Sequence, residues 1–242
     1  MAGVVHIASF SGGKDSTAML LKMMELGMPI DEVIFCDTGM EFPELYDHME
    51  ELKTRFGINI TVLYPKKSFL EYFFYHEKTK GKNKGQKGYS WGDFRNRWCT
   101  TLLKTQPFRQ YVKKKYLGTR IIEYHGIALD ESFRAEKNKD RKLCITITYP
   151  LIMWGMTEKD CLDYCYSKGL RWGGVYEEFD RLSCWCCPLK NLKELKIIRK
   201  RYPNKWQEMI DWDSRTYRSF KPNYSMALLE EKFAKEDSEK LF

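Results

Sequence analysis

The sequence contains no uninterrupted apolar run near the roughly 18 residues that a membrane-spanning helix needs. Residues 1–10 lead straight into a loop motif without the basic start and cleavage site of a signal peptide. No internal repeat or clear domain linker interrupts the 242 residues. These absences predict a cytoplasmic protein without a membrane partner. They also predict one main domain over residues 1–190, with a helical extension over 191–242 packed on it.

The composition excludes a disordered chain, because 43% of the residues are hydrophobic and 15% are aromatic. Lys and Arg number 41 against 33 Asp and Glu, so the formal net charge is +8. This excess predicts an anionic partner, either phosphate groups or nucleic acid. Eight cysteines in a chain too large to need disulfide stapling indicate metal or redox chemistry in a reducing compartment.

Short apolar runs alternate with helix-forming segments along the first quarter of the chain. The pattern predicts strands at 4–8, 32–36 and 58–63, with helices at 17–26 and 43–56 between them. Further strands are expected at 121–127 and 145–149, and further helices at 101–115, 157–168 and 189–199. The alternation is typical of an α/β fold: a twisted parallel sheet with helices on both faces. A helical, cysteine-containing C-terminal part completes the prediction.

A polar, glycine-containing turn joins the first predicted strand to the first predicted helix. It reads Ser11-Gly12-Gly13-Lys14-Asp15-Ser16. Two glycines allow close backbone approach, so that amide groups can point at phosphate oxygens, and the helix start adds its partial positive charge. The turn is not a Walker A loop, which requires G-x-x-x-x-G-K-[ST]. We therefore expect a phosphate-binding loop of another type at the carboxyl ends of the strands.

This turn resembles the PP-loop of the ATP pyrophosphatases, which split ATP between its α and β phosphates. Further motifs extend the resemblance to the phosphoadenosine phosphosulfate (PAPS) reductase family within that superfamily, from residue 4 to about 190. These motifs are Asp37-Thr38-Gly39 with Glu41-Phe42-Pro43-Glu44, Arg97-Trp98-Cys99 with Lys104, Gly126 with Asp130-Glu131-Ser132 and Arg134, Tyr149-Pro150-Leu151, Tyr176 to Arg181, and Cys184-x-x-Cys187-Pro188.

The resemblance implies a HUP-like sheet that binds an adenine nucleotide: ATP with Mg²⁺, or PAPS or adenylyl sulfate. It implies catalytic roles for Lys14, Lys104 and Arg134, with Arg97 also facing the anionic group. Nucleotide-binding positions implied by the same motifs are Ser9, Ser11, Gly12, Gly13, Lys14, Asp15, Ser16, Asp37, Thr38 and Gly39.

Three departures from the family pattern matter, and the second and third of them favour a member that uses ATP. Ala128 stands where the family often has arginine. The loop keeps its lysine, unlike the loops of the well-known PAPS and adenylyl sulfate reductases. Those reductases also carry a nucleophilic cysteine in a C-terminal tail, and no cysteine follows Cys187 in this sequence.

Three of the eight cysteines lie within four residues. With Cys99 as a further ligand, Cys184, Cys186 and Cys187 are candidates to hold a [4Fe–4S] cluster, with zinc as the alternative. Thr100 takes the place of a second adjacent cysteine found in cluster-containing relatives. A more distant ligand such as Cys144, or an open iron, would then complete the site.

The cysteines also have interpretations that involve no metal. For the cysteines at 184–187 the alternative is a group of buried reduced thiols. Cys161 and Cys165, spaced i and i+4 on one predicted helix, are expected to be core residues. Cys36 lies in a predicted strand and is expected to pack.

Residues 78–88 contain five lysines, three glycines and no acid, which predicts a mobile loop. Such a loop is solvated, covers the nucleotide, or contacts a polynucleotide backbone without sequence preference. The leading functional hypothesis is ATP-dependent adenylylation coupled to sulfur transfer, with AMP and pyrophosphate as products and a sulfur-donor protein as partner. The alternatives are a sulfonucleotide reductase that releases sulfite using an external thiol, and a nucleotide- or nucleic-acid-binding protein without turnover. A homodimer is left open.

Overall fold

The computed structural model describes residues 3–80, 83–135 and 144–239. Their contacts form two compact units. Unit 1 draws on the stretches Met1–Asp37, Glu41–Pro65 and Lys104–Leu182, and unit 2 on Thr38–Met40, Lys66–Leu103 and Ser183–Phe242. The division predicted from the sequence, 1–190 and 191–242, stays a prediction, because contacts do not test which part folds alone.

Unit 1 is built on a parallel sheet of five strands, which confirms the α/β prediction. The strands are β1 Val4–Phe10, β2 Glu32–Cys36, β3 Ile60–Leu63, β4 Arg120–His125 and β5 Ile145–Thr148. Their spatial order is β3-β2-β1-β4-β5. The chain therefore reverses its direction of travel across the sheet between β1 and β4, and in such sheets ligands bind outside the strand ends at this switch point.

Helices cover both faces of the sheet. The helices of unit 1 are α1 Lys14–Glu25, α2 Pro43–Phe56, α3 Gln106–Lys115, α4 Pro150–Met153 and α5 Glu158–Ser167. One face packs residues of α1, α2 and α5 around Phe35, and the other packs Phe108 and Val112 of α3 on Ile7 and Ile34. Cys161 and Cys165 lie in the first of these cores, which confirms their prediction as core residues.

Unit 2 is held by aromatic packing and three C-terminal helices, α6 Leu192–Arg201, α7 Pro203–Ser214 and α8 Met226–Ser238. Its centre contains Phe73, Trp91 and Trp212, all buried. The Trp91 indole donates to Asp213 Oδ1 at 2.8 Å, and the Met226 amide donates to Asp213 Oδ2 at 2.7 Å. The carboxylate thus fastens the aromatic cluster to the start of α8.

Among the described residues, none of the helices has the length and apolar character that a membrane span requires.

Several helical and strand segments differ from the sequence expectations: β3 and β4 end or begin up to two residues away from the predicted bounds 58–63 and 121–127. Two π-helical turns, Glu71–Tyr75 and Thr100–Thr105, were not predicted, and the second precedes α3 where one helix was expected from 101. The helix predicted at 189–199 runs over Leu192–Arg201, because Asn191 forms a capping box with Glu194 and starts it there.

The described ends of the lysine-rich segment pair with one another. Glu77 and Lys87 form an antiparallel bridge, and the Lys78 amide donates to Gln86 O at 3.0 Å. The Gly85 amide donates to Lys78 O at 2.8 Å. Residues 77–80 and 83–87, called the basic hairpin below, are thus joined by backbone hydrogen bonds, and the mobility predicted for the segment stays a prediction.

A buried carboxylate ties β2 to β3 and α3 at the amino end of the sheet. Glu32 accepts hydrogen bonds from the hydroxyls of Tyr111 at 2.5 Å, Tyr116 at 2.6 Å and Thr61 at 2.7 Å, and from Lys115 Nζ at 2.9 Å. Burial by itself raises the pKa of Glu32, but these donors outweigh it and lower the pKa to about 2.

Replacing Glu32 with Gln should destabilise the fold by about 2 kcal/mol at pH 7, because charge-assisted hydrogen bonds are lost. Since the folded-state pKa of Glu32 lies below its ordinary value of 4.5, the stabilisation is present above that pH and is lost as the pH falls toward 2. Urea unfolding of Glu32→Gln and the parent should therefore converge with acidification. Glu50→Gln, at an exposed pair with Lys53, is the control and should shift stability little at any pH.

Candidate functional site

The predicted phosphate loop connects β1 to the start of α1. Gly12 has φ +78°, and a Cβ there would lie 2.7 Å from Leu45 Cγ, so no other residue fits without rearrangement. Gly13 is the N-cap of α1 and makes no side-chain capping bond. The helix N-terminus therefore keeps the partial positive charge that suits an anion.

Hydrogen bonds within the loop hold its shape. The Ser16 hydroxyl donates to Gly13 O at 3.0 Å and accepts from the Ser11 amide at 3.2 Å. The Ser11 hydroxyl oxygen lies 3.0 Å from the Ser16 hydroxyl oxygen. Two of the predicted nucleotide-binding serines are thus brought together, and they brace the turn without any ligand.

The end of β4 lies directly against this loop. A Cβ on Gly126 would come within 2.8 Å of Ser16 Cα and 2.9 Å of Ser16 N. Ser9 of β1 pairs in register with His125 of β4, one residue before this contact. Gly126 is therefore required for the close approach of strand and helix at the switch point.

Buried aromatic side chains support the loop from behind. The Trp172 indole donates to Gly12 O at 2.8 Å, and the Lys14 amide donates to the Tyr176 hydroxyl at 2.7 Å. His48 stacks on Trp172 with 4.1 Å between ring centroids, and its Nε2 lies 3.0 Å from Thr17 Oγ1. Burial lowers the pKa of His48 to about 3, so this imidazole is a neutral support.

Lys14 is almost fully buried and lies between two carboxylates. Its Nζ is 2.5 Å from Glu158 Oε2 and 3.5 Å from Asp15 Oδ2. Glu158 is the first residue of α5, and its amide donates to Asp130 Oδ1 at 3.1 Å. Glu158 was not among the residues predicted from the sequence, where its only local signal is its place at the start of the helix predicted at 157–168.

The Asp15 carboxyl shows the cost of this burial. Desolvation raises the pKa of Asp15 to about 6, although neighbouring Lys14 opposes the shift. Asp15 Oδ1 is buried and has no hydrogen-bond partner. An orphaned carboxylate oxygen near a second carboxylate is a donor set that a hard cation such as Mg²⁺ would complete. The residues therefore fit the Mg²⁺ that accompanies a nucleoside triphosphate.

The other predicted cations also contact buried glutamates. Lys104 Nζ lies 3.2 Å from Glu41 Oε1. Arg134 pairs with Glu131, and Arg181 Nη1 lies 2.9 Å from the other oxygen of the same carboxylate. Their assignment as catalytic or anion-facing residues stays a prediction.

The Asp37-Thr38-Gly39 motif continues directly from β2. Tyr46 donates to Asp37 Oδ1 at 2.8 Å in unit 1. Thr38 belongs to unit 2, where its hydroxyl accepts from the Met40 amide at 3.2 Å and lies 3.8 Å from Cys184 Sγ. Gly39 has φ +73°. The nucleotide-binding roles of these three residues stay predictions.

A carboxylate–imidazole pair on β4 was not anticipated from the sequence. Glu123 is 6% exposed, and its Oε1 lies 2.6 Å from Nε2 of the half-buried His125. The two side chains share a face of the strand because they are two residues apart. That spacing was visible in the sequence, but only the pairing of β1 with β4 places His125 beside Ser9 at the switch point.

The cysteine motif forms a tight turn in unit 2. The Cys187 amide donates to Cys184 O at 3.2 Å, and Lys221 Nζ donates to Lys190 O at 2.7 Å beside the turn. Cys186 is buried, whereas Cys99, Cys184 and Cys187 are partly exposed.

Within residues 3–80, 83–135 and 144–239, no three cysteine, histidine or acidic side chains are arranged to hold a metal ion. The arrangement thus does not fit the iron–sulfur cluster or zinc as it stands. Both stay predictions, and no step below depends on either.

Burial keeps two other thiols, those of Cys36 and Cys165, in the protonated form. Cys36 was expected to pack, and its Sγ donates to Lys104 O at 3.4 Å. Burial raises the pKa of Cys36 to about 11, with nearby Lys104 opposing the shift. Burial likewise raises the pKa of Cys165 to about 12. These cysteines stay protonated at neutral pH.

The sheet, its glycine-containing switch-point loop and the buried lysine define an α/β protein with a parallel five-stranded sheet. The chain belongs to the PAPS reductase family: the model of the phosphoadenosine phosphosulfate reductase domain matches residues 5–190. This confirms the resemblance drawn from the motifs.

Similar proteins come from several sources. An uncharacterized protein of Methanocaldococcus jannaschii is 31% identical over 84% of this chain, which spans 46% of that relative's length. An adenosine 5′-phosphosulfate reductase of Geobacillus kaustophilus is 26% identical over 70% of this chain and 67% of its own. The crystal structure of PAPS reductase from Candida auris superposes with a TM-score of 0.46 and 16% identity over 71% of this chain and 76% of that one.

Asp15→Asn should stabilise the protein by about 2 kcal/mol at pH 8, because it removes a carboxylate whose pKa is raised by roughly two units. A raised pKa means that the parent loses stability as the pH rises from about 4 to about 6, so the advantage of the variant should vanish below pH 4. Thermal unfolding across this range measures the difference. Asp47→Asn, at an exposed position of α2, should show no such pH dependence.

Gly126→Ala should cost about 1–3 kcal/mol of stability, because its methyl group would be forced against the Ser16 backbone. Gly3→Ala is the matched control, since a Cβ there meets nothing within 4 Å. Equal urea midpoints for Gly126→Ala and the parent would contradict the close approach of β4 and α1.

Proposed function

We propose that this protein binds ATP on the loop of residues 11–16 and transfers the adenylyl group to an oxygen of an acceptor, which sulfur then replaces. The observation that carries the proposal is the buried Lys14, held between Asp15 and Glu158 at the N-terminus of α1. A nucleotide that is bound but not cleaved develops no new charge, so a lysine at its phosphates would add binding only, and here the lysine becomes available to the phosphates once a bound cation engages the two carboxylates. A leaving pyrophosphate gains stabilisation from the lysine, because negative charge grows on it in the transition state.

In the proposed reaction the acceptor oxygen attacks the α-phosphorus of ATP. The bond from that phosphorus to the bridging oxygen breaks, and pyrophosphate leaves. A sulfur nucleophile at the oxidation level of a thiol then displaces AMP, which carries away the former acceptor oxygen. Neither step needs an external oxidant or reductant.

The residues of unit 1 have separate tasks in this scheme. The loop amides and Lys14 bind the phosphates, for which Lys14 exchanges its contact with Glu158. Asp15 and Glu158 would hold Mg²⁺, which when bound neutralises phosphate charge. His125, held at Nε2 by Glu123, accepts the proton of the acceptor hydroxyl at Nδ1. Lys104 and Arg134 remain candidates to face the reacting anion.

The alternative is reduction of PAPS or adenylyl sulfate with an external thiol. It is favoured by similarity to the adenosine 5′-phosphosulfate reductase of Geobacillus kaustophilus. A PP-loop with lysine is compatible with sulfonucleotide binding, but that reaction leaves Lys14 without a leaving pyrophosphate to stabilise. Sulfite released from either sulfonucleotide in the presence of a dithiol would favour the alternative.

The direct test incubates the protein with ATP, Mg²⁺ and one acceptor at a time from a panel of sulfate, total RNA and single-stranded DNA. It measures the release of AMP and pyrophosphate and the rate of pyrophosphate–ATP exchange. Lys14→Gln should lower the exchange rate by about 10²–10³-fold, as for removal of one group that stabilises a developing charge. Lys22→Gln, in the last turn of the same helix, should leave the rate unchanged.

Thermal unfolding of both variants separates lost chemistry from lost folding. ATP turnover by Lys14→Gln at the parent rate would refute the role of the lysine. Sulfite release from sulfonucleotides, together with no AMP or exchange for the whole panel, would refute adenylylation.

A further inference from the structure

Unit 2 presents a basic surface beside an exposed aromatic ring. Lys80, Lys84 and Lys87 of the basic hairpin are exposed. Phe94, in the turn of residues 93–97, is 70% exposed, which is unusual for a phenyl ring. Arg95 lies over the same ring with its guanidinium carbon 5.1 Å from the centroid. We call these residues, together with Arg97, the basic–aromatic surface.

Two adjacent residues, Tyr217 and Arg218, anchor the hairpin and the turn. Lys78, at the base of the hairpin, donates from Nζ to the Tyr217 hydroxyl at 2.6 Å and lies 4.8 Å from the centre of its ring. Arg218, which follows Tyr217 in the chain, pairs with Asp93 at the start of the turn. Because consecutive residues are only about 3.8 Å apart along the chain, the backbone that anchors the hairpin also anchors the turn.

The turn that carries Phe94 is itself fixed. Asp93 Oδ1 accepts from the amides of Arg95 and Asn96, both at 2.7 Å. The Trp98 indole donates to Ser90 O at 2.9 Å on the far side of the turn. The exposed ring is thus presented by a rigid turn, so that little conformational entropy would be lost when something stacks on it.

We propose that this surface binds single-stranded nucleic acid. Lysines spread along a hairpin neutralise successive phosphates of a flexible strand, and an exposed ring between cations is the platform on which an unpaired base stacks. An acidic protein would use the cations and leave Phe94 idle. A duplex hides the faces of its bases from the ring. The inference does not depend on the adenylylation chemistry, and either can fail alone.

The test measures the binding of a fluorescent 12-nucleotide oligo(U) to the full chain by anisotropy at several salt concentrations. Phe94→Ala should weaken binding by about tenfold, within the range for one lost stacking contact, and should leave the salt dependence unchanged. Phe94→Trp should restore the affinity. An oligo(dT) of equal length distinguishes RNA from DNA as the preferred strand.

Removing the hairpin charges should lower the salt dependence of binding, which Phe94→Ala leaves unchanged. The triple variant Lys80→Gln, Lys84→Gln, Lys87→Gln should reduce the slope of log affinity against log salt by about 2, since each phosphate contact to a single strand contributes about 0.7. The control removes the same charge elsewhere, through Lys53→Gln, Lys113→Gln and Lys114→Gln, and should keep the parent slope.

Three results would overturn the proposal. The first is equal binding of oligo(U) and a duplex of the same length, with Phe94→Ala unaffected, which would indicate a general polyanion patch. The second is equal loss of slope in the two triple variants. The third is binding of polyglutamate with no binding of either strand, which would assign the surface to an acidic protein. None of these results would bear on ATP turnover, so the proposal and the proposed reaction fail separately.

Discussion

The close approach of Gly126 to Ser16 is the contact on which the candidate nucleotide site depends. It brings the end of a central strand against the first turn of α1 without an intervening side chain. The loop of residues 11–16 is pressed between that strand and the buried Trp172, which holds the Gly12 carbonyl. A loop fixed on both sides can present backbone donors to a phosphate at little further cost in entropy.

Burial of charge gives the site its chemical character. Lys14 and Asp15 are withdrawn from water at the N-terminus of a helix, and Glu158 closes the group from α5. The raised pKa of Asp15 shows that the fold pays a free-energy cost for this arrangement. Raised carboxyl pKa values of this kind are common at ligand-binding sites. In the structural ion pair of Glu32 with Lys115, by contrast, the carboxyl pKa is lowered.

Unit 2 follows a different principle, in which aromatic packing replaces a sheet. Trp91, Trp212 and Phe73 form its centre, and Asp213 fastens them to α8. The same packing fixes the basic hairpin and the 93–97 turn through Tyr217 and Arg218. An aromatic scaffold therefore presents exposed cationic side chains, an arrangement that suits the proposed binding of a flexible polyanion.

Local sequence patterns determined the parallel sheet, the position of the phosphate loop and the burial of Cys161 and Cys165, because hydrophobic periodicity and glycine placement act over a few residues. The tertiary structure decided which groups surround Lys14: Glu158 is 144 positions away, and its approach follows from the packing of α5 on α1. The same holds for His125 beside Ser9, which requires the pairing of β1 with β4. The sequence determines which side chains are present, but the distances between charged side chains are set by the packing of helices and strands in the folded protein.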